Sequence, residues 1–190
     1  MISRRETLRR MAGSGVAAAA LWQTRAFAAT FMDIEEARKI LLPRATSFEP
    51  VALDLGAPRI AELAAGTHTQ PPRGYAPMAW AGLAEDRRVG WVLSDRAIGK
   101  YELIDFAAGF EADGSVSGLE ILAYRESHGA EIRTPGWRRQ FVGRKGPDQL
   151  RFNEDIRNIS GATLSCQHVT EAVQRLSLIV QQLAQKPARS

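Results

Sequence analysis

The sequence has few residues that could form a cross-link or bind a metal ion: it contains one cysteine and three histidines in 190 residues. A single thiol, Cys166, excludes an intramolecular disulfide, and there is no Cys-x-x-Cys-His run of the kind that attaches haem. His68, His128 and His168 lack the i, i+4 spacing that places two imidazoles on one helix face. We therefore expect no metal site, and a fold stabilised by its hydrophobic core.

The apolar stretch from Met11 to Trp22 is shorter than the roughly 20 residues that a membrane-spanning helix needs. Arginines precede it and small residues follow it up to Ala28, which is the layout of a secretory signal. Ser3 to Leu8 is similar to the twin-arginine export motif, with Thr7 where that motif has Phe. We predict that residues 1–28 direct export and are removed, leaving a periplasmic or otherwise exported protein without strong membrane association. The alternative is an uncleaved anchor.

The net charge of +4 does not indicate a nucleic-acid partner. Residues 1–28 contain five arginines against the single acid Glu6, and this excess equals the net charge of the whole chain. The remaining residues are therefore balanced in charge, whereas a nucleic-acid surface needs a basic excess.

Residues 29–87 are predicted to be an N-terminal extension of helices and loops. Asp33 has the position of a helix cap, and Pro43 ends the helix that follows it. A second short helix is predicted over residues 58–65, because a proline occupies its first turn. Residues 67–88 are rich in Pro, Gly and Ala and predict a long surface loop.

Residues 88–190 have the pattern of a sheet followed by a helix. Strand-forming residues occupy 89–93, 100–108 and 116–124, and the turn at 112–115 predicts antiparallel pairing. From Leu164 onward apolar residues recur at helical spacing. The predicted fold is a single α+β domain whose antiparallel sheet is packed by a long C-terminal helix and by short N-terminal helices.

The run Ser160-Gly161-Ala162-Thr163 lies just before the last helix, where unpaired N–H groups and the helix dipole favour an anion such as phosphate. Gly161 and Ala162 leave room for a bulky ligand to approach the main chain, and Thr163 offers a hydroxyl for esterification. On spacing alone an ordinary helix cap explains the same residues.

The run Ser160 to Ser165 resembles the flavinylation motif of FMN-binding domains, the family of the C subunit of the sodium-pumping NADH:quinone oxidoreductase and the G subunit of Rnf complexes. The resemblance covers about residues 88 to 184. It includes the hairpin at Asp113-Gly114, the run Tyr124 to Gly129, and Thr134 to Trp137.

The resemblance implies FMN joined through its phosphate to Thr163 by an FAD:protein FMN transferase. It also implies a cofactor site formed by the motif and by a second segment. The expected cofactor-binding residues are Thr163, Ser160, Gly161, Ala162, Leu164 and Ser165 in the motif, and Glu131, Thr134, Pro135, Gly136 and Trp137 in the second segment. Glu126 and His128 are candidates for tuning the flavin or, alternatively, for bonding to loop backbone.

The sequence departs from the family pattern at two places. The family motif has Asp six residues before the modified Thr, and this chain has Arg157 there, with Asp155 as the nearest acid. Glu131 is separated by two residues from Thr134, whereas the family has these residues in one run. Flavinylation and the role of Glu131 depend on how the fold accommodates these changes.

Together with the predicted export signal, the resemblance implies an exported electron-transfer carrier that works with a membrane redox partner. Two alternatives remain open. One is the same fold with non-covalent FMN, or with no flavin and a role in interaction. The other is an FMN-dependent periplasmic oxidoreductase acting on a small substrate, although no acid–base pair stands out near the motif.

Overall fold

The computed structural model describes residues 29–126 and 129–185. The predicted export signal and His128 lie outside these residues. Within the described part of the chain, six strands form one antiparallel sheet in the order β1-β6-β5-β4-β3-β2. The strands are β1 Ala29–Thr30, β2 Ser47–Val51, β3 Met78–Ala84, β4 Arg87–Ile98, β5 Leu103–Glu111 and β6 Val116–Tyr124. Strands β2 to β6 pair in chain order, and β1 lies at the other edge beside β6.

The described residues also form four α-helices: α1 Ile34–Leu41, α2 Ala57–Thr67, α3 Pro135–Arg138 and α4 Thr163–Gln185. Asp33 caps α1 by accepting a hydrogen bond from the N–H of Glu36 at 2.8 Å. Pro58 lies in the first turn of α2, where its missing N–H costs nothing. The predicted α+β fold is confirmed. No helix in the described part of the chain has the length and apolar character needed to cross a bilayer.

The two faces of the sheet are covered differently. Helix α4 packs on one face against β4 and β5, and its apolar stripe shares a core with Trp91, Phe106 and Phe110. Helix α1 covers the other face and forms a smaller cluster through Leu41 and Leu42. Because α4 begins at Thr163, the larger core fixes the position of the motif that precedes it.

A row of glycines lets α1 lie directly on the sheet. A Cβ added at any of four glycines would lie 2.8–3.0 Å from an atom of Leu41 or Leu42, at or below the shortest distances that real Cβ atoms show. Gly82 and Gly90 are partners across β3 and β4. Gly109 and Gly118 are partners across β5 and β6. Their missing side chains explain why a short helix can cover this face.

The prediction of a loop over residues 67–88 is wrong at β3, and the sequence pattern does not predict β2. Strand β3 is rich in alanine and contains no β-branched residue, so it lacks the usual strand signal. Strand β2 contains Pro50, which a central strand would exclude. The structure tolerates Pro50 because β2 is an edge strand. Residues 29–87 thus add strands to the same sheet, and the division at residue 87 stays a prediction.

A polar cluster of one buried and two half-buried side chains lies where β4 meets α4. Asp95 lies on β4, Arg175 lies on α4, and Tyr75 comes from the loop before β3. The Arg175 guanidinium carbon is 5.6 Å from the centre of the Tyr75 ring. The Tyr75 hydroxyl, Asp95 Oδ2 and Arg175 Nε are buried atoms that form no hydrogen bond of ordinary length and angle, although the three groups lie close enough to interact electrostatically. Burial raises the pKa of Asp95 to about 6, against the opposing effects of the Arg96 N–H and the Arg175 charge.

This buried carboxyl predicts a pH dependence of stability. The folded-state pKa of Asp95 lies above its ordinary value of 3.8, so the folded protein binds this proton more tightly than the unfolded chain. The free energy of unfolding should therefore fall as pH rises from about 4 to about 6, by about 1–3 kcal/mol, and then level off. Urea titrations across this range should show that Asp95→Asn removes the slope, whereas Asp148→Asn, at an exposed position, keeps it. A wild-type slope that survives Asp95→Asn would contradict this assignment.

Candidate functional site

A tight turn leads into the N-terminus of α4. The N–H of Ala162 donates to the carbonyl of Ile159 at 3.0 Å, which closes a four-residue turn. Gly161, the third residue of this turn, has φ +87°, as a type II turn requires. No heavy atom lies within 4 Å of a Cβ built on Gly161, apart from its chain neighbours. The turn therefore needs glycine for its backbone and leaves open space at that point.

The first turn of α4 presents backbone donors. The hydrogen bond that begins the helix runs from the N–H of Cys166 to the carbonyl of Ala162 at 2.9 Å. The N–H groups of Thr163, Leu164 and Ser165 precede it and therefore have no acceptor within the helix. Together with the helix dipole, they favour a negatively charged group.

The Thr163 side chain is exposed at the first position of α4. Asn158 Nδ2 donates a hydrogen bond to Thr163 Oγ1 at 3.0 Å. The hydroxyl therefore accepts from Asn158 while its own proton remains available to another group. Sequence patterns do not single out Asn158, because an amide five residues before the acceptor has no independent signature.

The motif lines a cavity of about 510 Å³, a size within the range of about 300–1,000 Å³ usual for small-molecule sites. One side consists of residues 161–165, which include five of the predicted cofactor-binding residues. The other side consists of Lys100, Tyr101 and Glu126. The sixth predicted motif residue, Ser160, is exposed in the adjoining turn. The fold thus places the motif opposite the loop between β4 and β5, a juxtaposition that the sequence alone does not predict.

The second predicted segment does not line this cavity. Glu131 lies in a short 3-10 helix, Ala130–Arg133, and is exposed. Thr134 precedes α3, and Pro135 faces a separate groove of about 200 Å³ between α1 and β6. Gly136 is exposed, with no heavy atom beyond its chain neighbours within 4 Å of an added Cβ. A cofactor-binding role for these residues stays a prediction.

Trp137 is part of the core and supports the chain ahead of the motif. Its ring is buried and meets Phe141 edge to face, with the ring centres 5.1 Å apart. Trp137 Nε1 donates to the carbonyl of Arg157 at 2.9 Å, and the N–H of Arg157 donates to Gln140 Oε1 at 2.8 Å. Hydrogen bonds therefore fix both the N–H and the carbonyl of Arg157, which lies six residues before Thr163.

The acids near the motif have other partners. Asp155 Oδ2 accepts from the N–H of Arg151 at 2.9 Å and from Arg151 Nε at 3.1 Å. This backbone hydrogen bond, with the neighbouring arginines, holds the pKa of Asp155 below its ordinary value. Asp155 is thus an ionised member of its own turn, and no hydrogen bond links it to Thr163. The Arg157 residue is exposed.

Two further side chains on α4 have structural partners. Cys166 is fully buried, and burial raises the pKa of its thiol to about 11, so the thiol stays protonated at neutral pH. His168 Nδ1 lies 2.7 Å from the carbonyl oxygen of Ile98 and links α4 to the end of β4. Cys166 is therefore a packing residue of the core.

Comparison with known proteins identifies the domain. Residues 99–177 match the family model described as the FMN-binding domain. The chain carries an FMN-binding domain. The match extends from the β4–β5 loop into α4 and so includes both sides of the cavity. The domain assignment confirms the family resemblance that the motif indicated.

Two relatives support this assignment over a longer span. One is the G subunit of the ion-translocating oxidoreductase complex of Methanosarcina acetivorans, which is 28% identical over 145 residues, covering 73% of this chain and 70% of the relative. The other is the G subunit of the Na(+)-translocating ferredoxin:NAD(+) oxidoreductase complex of Acetobacterium woodii, which is 26% identical over 158 residues, covering 78% and 74%.

The residues present fit a flavin attached through a phosphate. The amides at the start of α4 suit the phosphate charge, and the open space beside Gly161 leaves room for it. Thr163 supplies a hydroxyl at the same end of the cavity. Among residues 29–126 and 129–185, no group of three His, Cys, Asp or Glu side chains is placed to hold a metal ion.

Proposed function

We propose that this protein is an exported electron-transfer carrier whose FMN is esterified to Thr163 through its phosphate. The observation that carries the proposal is the position of Thr163. Its hydroxyl is exposed at the amide end of α4 and at the edge of a 510 Å³ cavity in an FMN-binding domain. FMN bound there supplies one-electron and two-electron redox chemistry.

The chain's own residues have three tasks in attachment and retention. Thr163 provides the oxygen that bonds to phosphorus, and Asn158 orients that oxygen by donating to it. The α4 amides stabilise the negative charge of the phosphodiester. The proposed partner is an FAD:protein FMN transferase: the Thr163 hydroxyl loses its proton, the Oγ–P bond forms, the FAD pyrophosphate bond breaks, and AMP leaves.

Export and a membrane redox partner complete the proposal. Residues 1–28 have the layout of a twin-arginine-like signal. A covalent link prevents loss of the flavin by dilution outside the cytoplasm. Both relatives are named as subunits of ion-translocating oxidoreductase complexes, which supports electron exchange with a membrane redox protein rather than turnover of a small substrate by this chain alone.

One observation favours a second candidate, the same domain with non-covalent FMN. Arg157 replaces the acid of the family motif, and Asp155 is bound within its own turn and does not take its place. If the transferase needs that acid, the site would bind FMN without an ester.

Denaturing electrophoresis under ultraviolet light separates the two candidates. We expect a fluorescent band when the protein is made in a host with the transferase, and a dark band when the transferase gene is deleted. A dark band in both hosts, with FMN released into the supernatant on denaturation, would support the non-covalent candidate. A dark band with no released FMN would contradict both.

A further inference from the structure

The β4–β5 loop, Gly99–Glu102, is held rigidly opposite the motif. Glu126 Oε1 accepts hydrogen bonds from the N–H groups of Tyr101, at 2.5 Å, and Glu102, at 2.9 Å. A Cβ on Gly99 would lie 2.5 Å from the same carboxylate oxygen, so glycine is needed for Glu126 to reach the loop. The carboxylate thus organises the loop backbone from the end of β6.

A second contact fixes the start of this loop to the motif helix. His168 Nδ1 lies 2.7 Å from the carbonyl oxygen of Ile98, the last residue of β4. His168 is five residues after Thr163 on α4, so this contact sets the distance between the loop and the motif. The loop is therefore connected both to the sheet and to the helix that carries the acceptor.

Tyr101 is exposed although its backbone is fixed. Its relative exposure is 73%, so the ring is accessible to a ligand in the cavity that it lines. Lys100 Nζ lies 4.9 Å from the centre of the Tyr101 ring, and both residues line the cavity across from the motif. The fold therefore places an aromatic ring and a positive charge, in contact with each other, beside the space next to Thr163.

We propose that Tyr101 is the wall on which the isoalloxazine ring of the flavin stacks, and that Lys100 supplies the positive charge beside that ring. This inference rests on the proposed attachment of FMN to Thr163. Aromatic side chains stack on planar π systems in offset contact. A nearby ammonium group favours the reduced flavin, which carries more negative charge, and so raises the reduction potential. Glu126 and His168 are positioning residues for this wall.

The test uses the flavin-loaded protein made with the transferase, with the FMN content of each variant measured by intact mass. Tyr101→Ala should raise the accessibility of the bound flavin to iodide quenching severalfold, because the ring loses its cover. Tyr101→Phe should keep accessibility near the wild-type value, because it preserves the aromatic face. Lys100→Met should shift the reduction potential to a more negative value. Lys39→Met, the same charge change on α1 at the opposite face of the sheet, should leave the potential unchanged.

The outcomes separate this inference from the proposed function. If FMN is present on Thr163 and Tyr101→Ala leaves iodide accessibility unchanged, the wall assignment is overturned while the carrier proposal stands. If Lys100→Met and Lys39→Met shift the potential equally, the charge assignment is overturned. If intact mass shows no FMN on the wild-type chain, the proposed function fails and this inference fails with it.

Discussion

Replacing Thr163 by valine is expected to abolish covalent FMN attachment. Valine has nearly the same shape as threonine but no hydroxyl, so the Oγ–P bond cannot form. The substitution is at the exposed first position of α4, where its effect on stability should be within about 0.5 kcal/mol. The fluorescent band on denaturing electrophoresis should disappear completely, while the amount of folded protein stays the same.

Thr163→Ser is the matched control for this experiment. Serine keeps the hydroxyl that Asn158 contacts in the wild type, so attachment should persist in part. Ser160 lies three residues earlier and offers another hydroxyl. A fluorescent band of wild-type intensity in Thr163→Val would mean that the flavin is attached elsewhere, and would contradict the assignment of Thr163 as acceptor.

The second large effect is expected at Trp137. Trp137→Ala should lower the free energy of unfolding by about 3–5 kcal/mol, because it removes a buried aromatic side chain and leaves a cavity. It also removes the Nε1 donor and leaves the Arg157 carbonyl without that partner. Urea denaturation followed by circular dichroism measures this change.

Trp137→Phe separates the two contributions of this side chain. Phenylalanine retains most of the buried ring but has no donor, so the expected loss is smaller, about 1–3 kcal/mol. In both variants the iodide accessibility of attached flavin should stay near the wild-type value, since Trp137 is buried in the core away from the cavity. A stable Trp137→Ala protein whose flavin becomes accessible would instead assign Trp137 to the flavin site, as the family resemblance implied.

The central strands can be predicted because their sequences contain the strand-forming residues that a packed sheet favours. The predicted bounds of β6 match the observed ones, and the turn at Asp113 and Gly114 is located by its residues alone. Strands β2 and β3 cannot be predicted from their own residues. Pro50 is compatible with β2 only because β2 lies at the edge of the sheet. The alanine-rich residues of β3 lack the usual strand signal. The sheet neighbours, not the local sequence, determine those two elements.

The same distinction applies to the site. The motif at residues 160–165 can be found because its residues are contiguous and match a known pattern. Lys100 and Tyr101 are 63 and 62 residues before Thr163 in the chain, and only the packing of α4 on β4 brings the two segments together. The Gly99–Glu126 contact likewise depends on tertiary structure, and the Asn158–Thr163 contact depends on the turn that joins the two residues. The physical reason is that a cavity wall has no periodicity that a single sequence can reveal.

The intact mass of the protein exported by a host that has the transferase tests the central claim most directly. The proposal predicts the mass of the chain from Ala29 onward plus one FMN minus one water, and loss of that addition in Thr163→Val. An exported wild-type chain of unmodified mass, from a host in which a second flavinylated protein is fully loaded, would contradict the claim that Thr163 carries FMN.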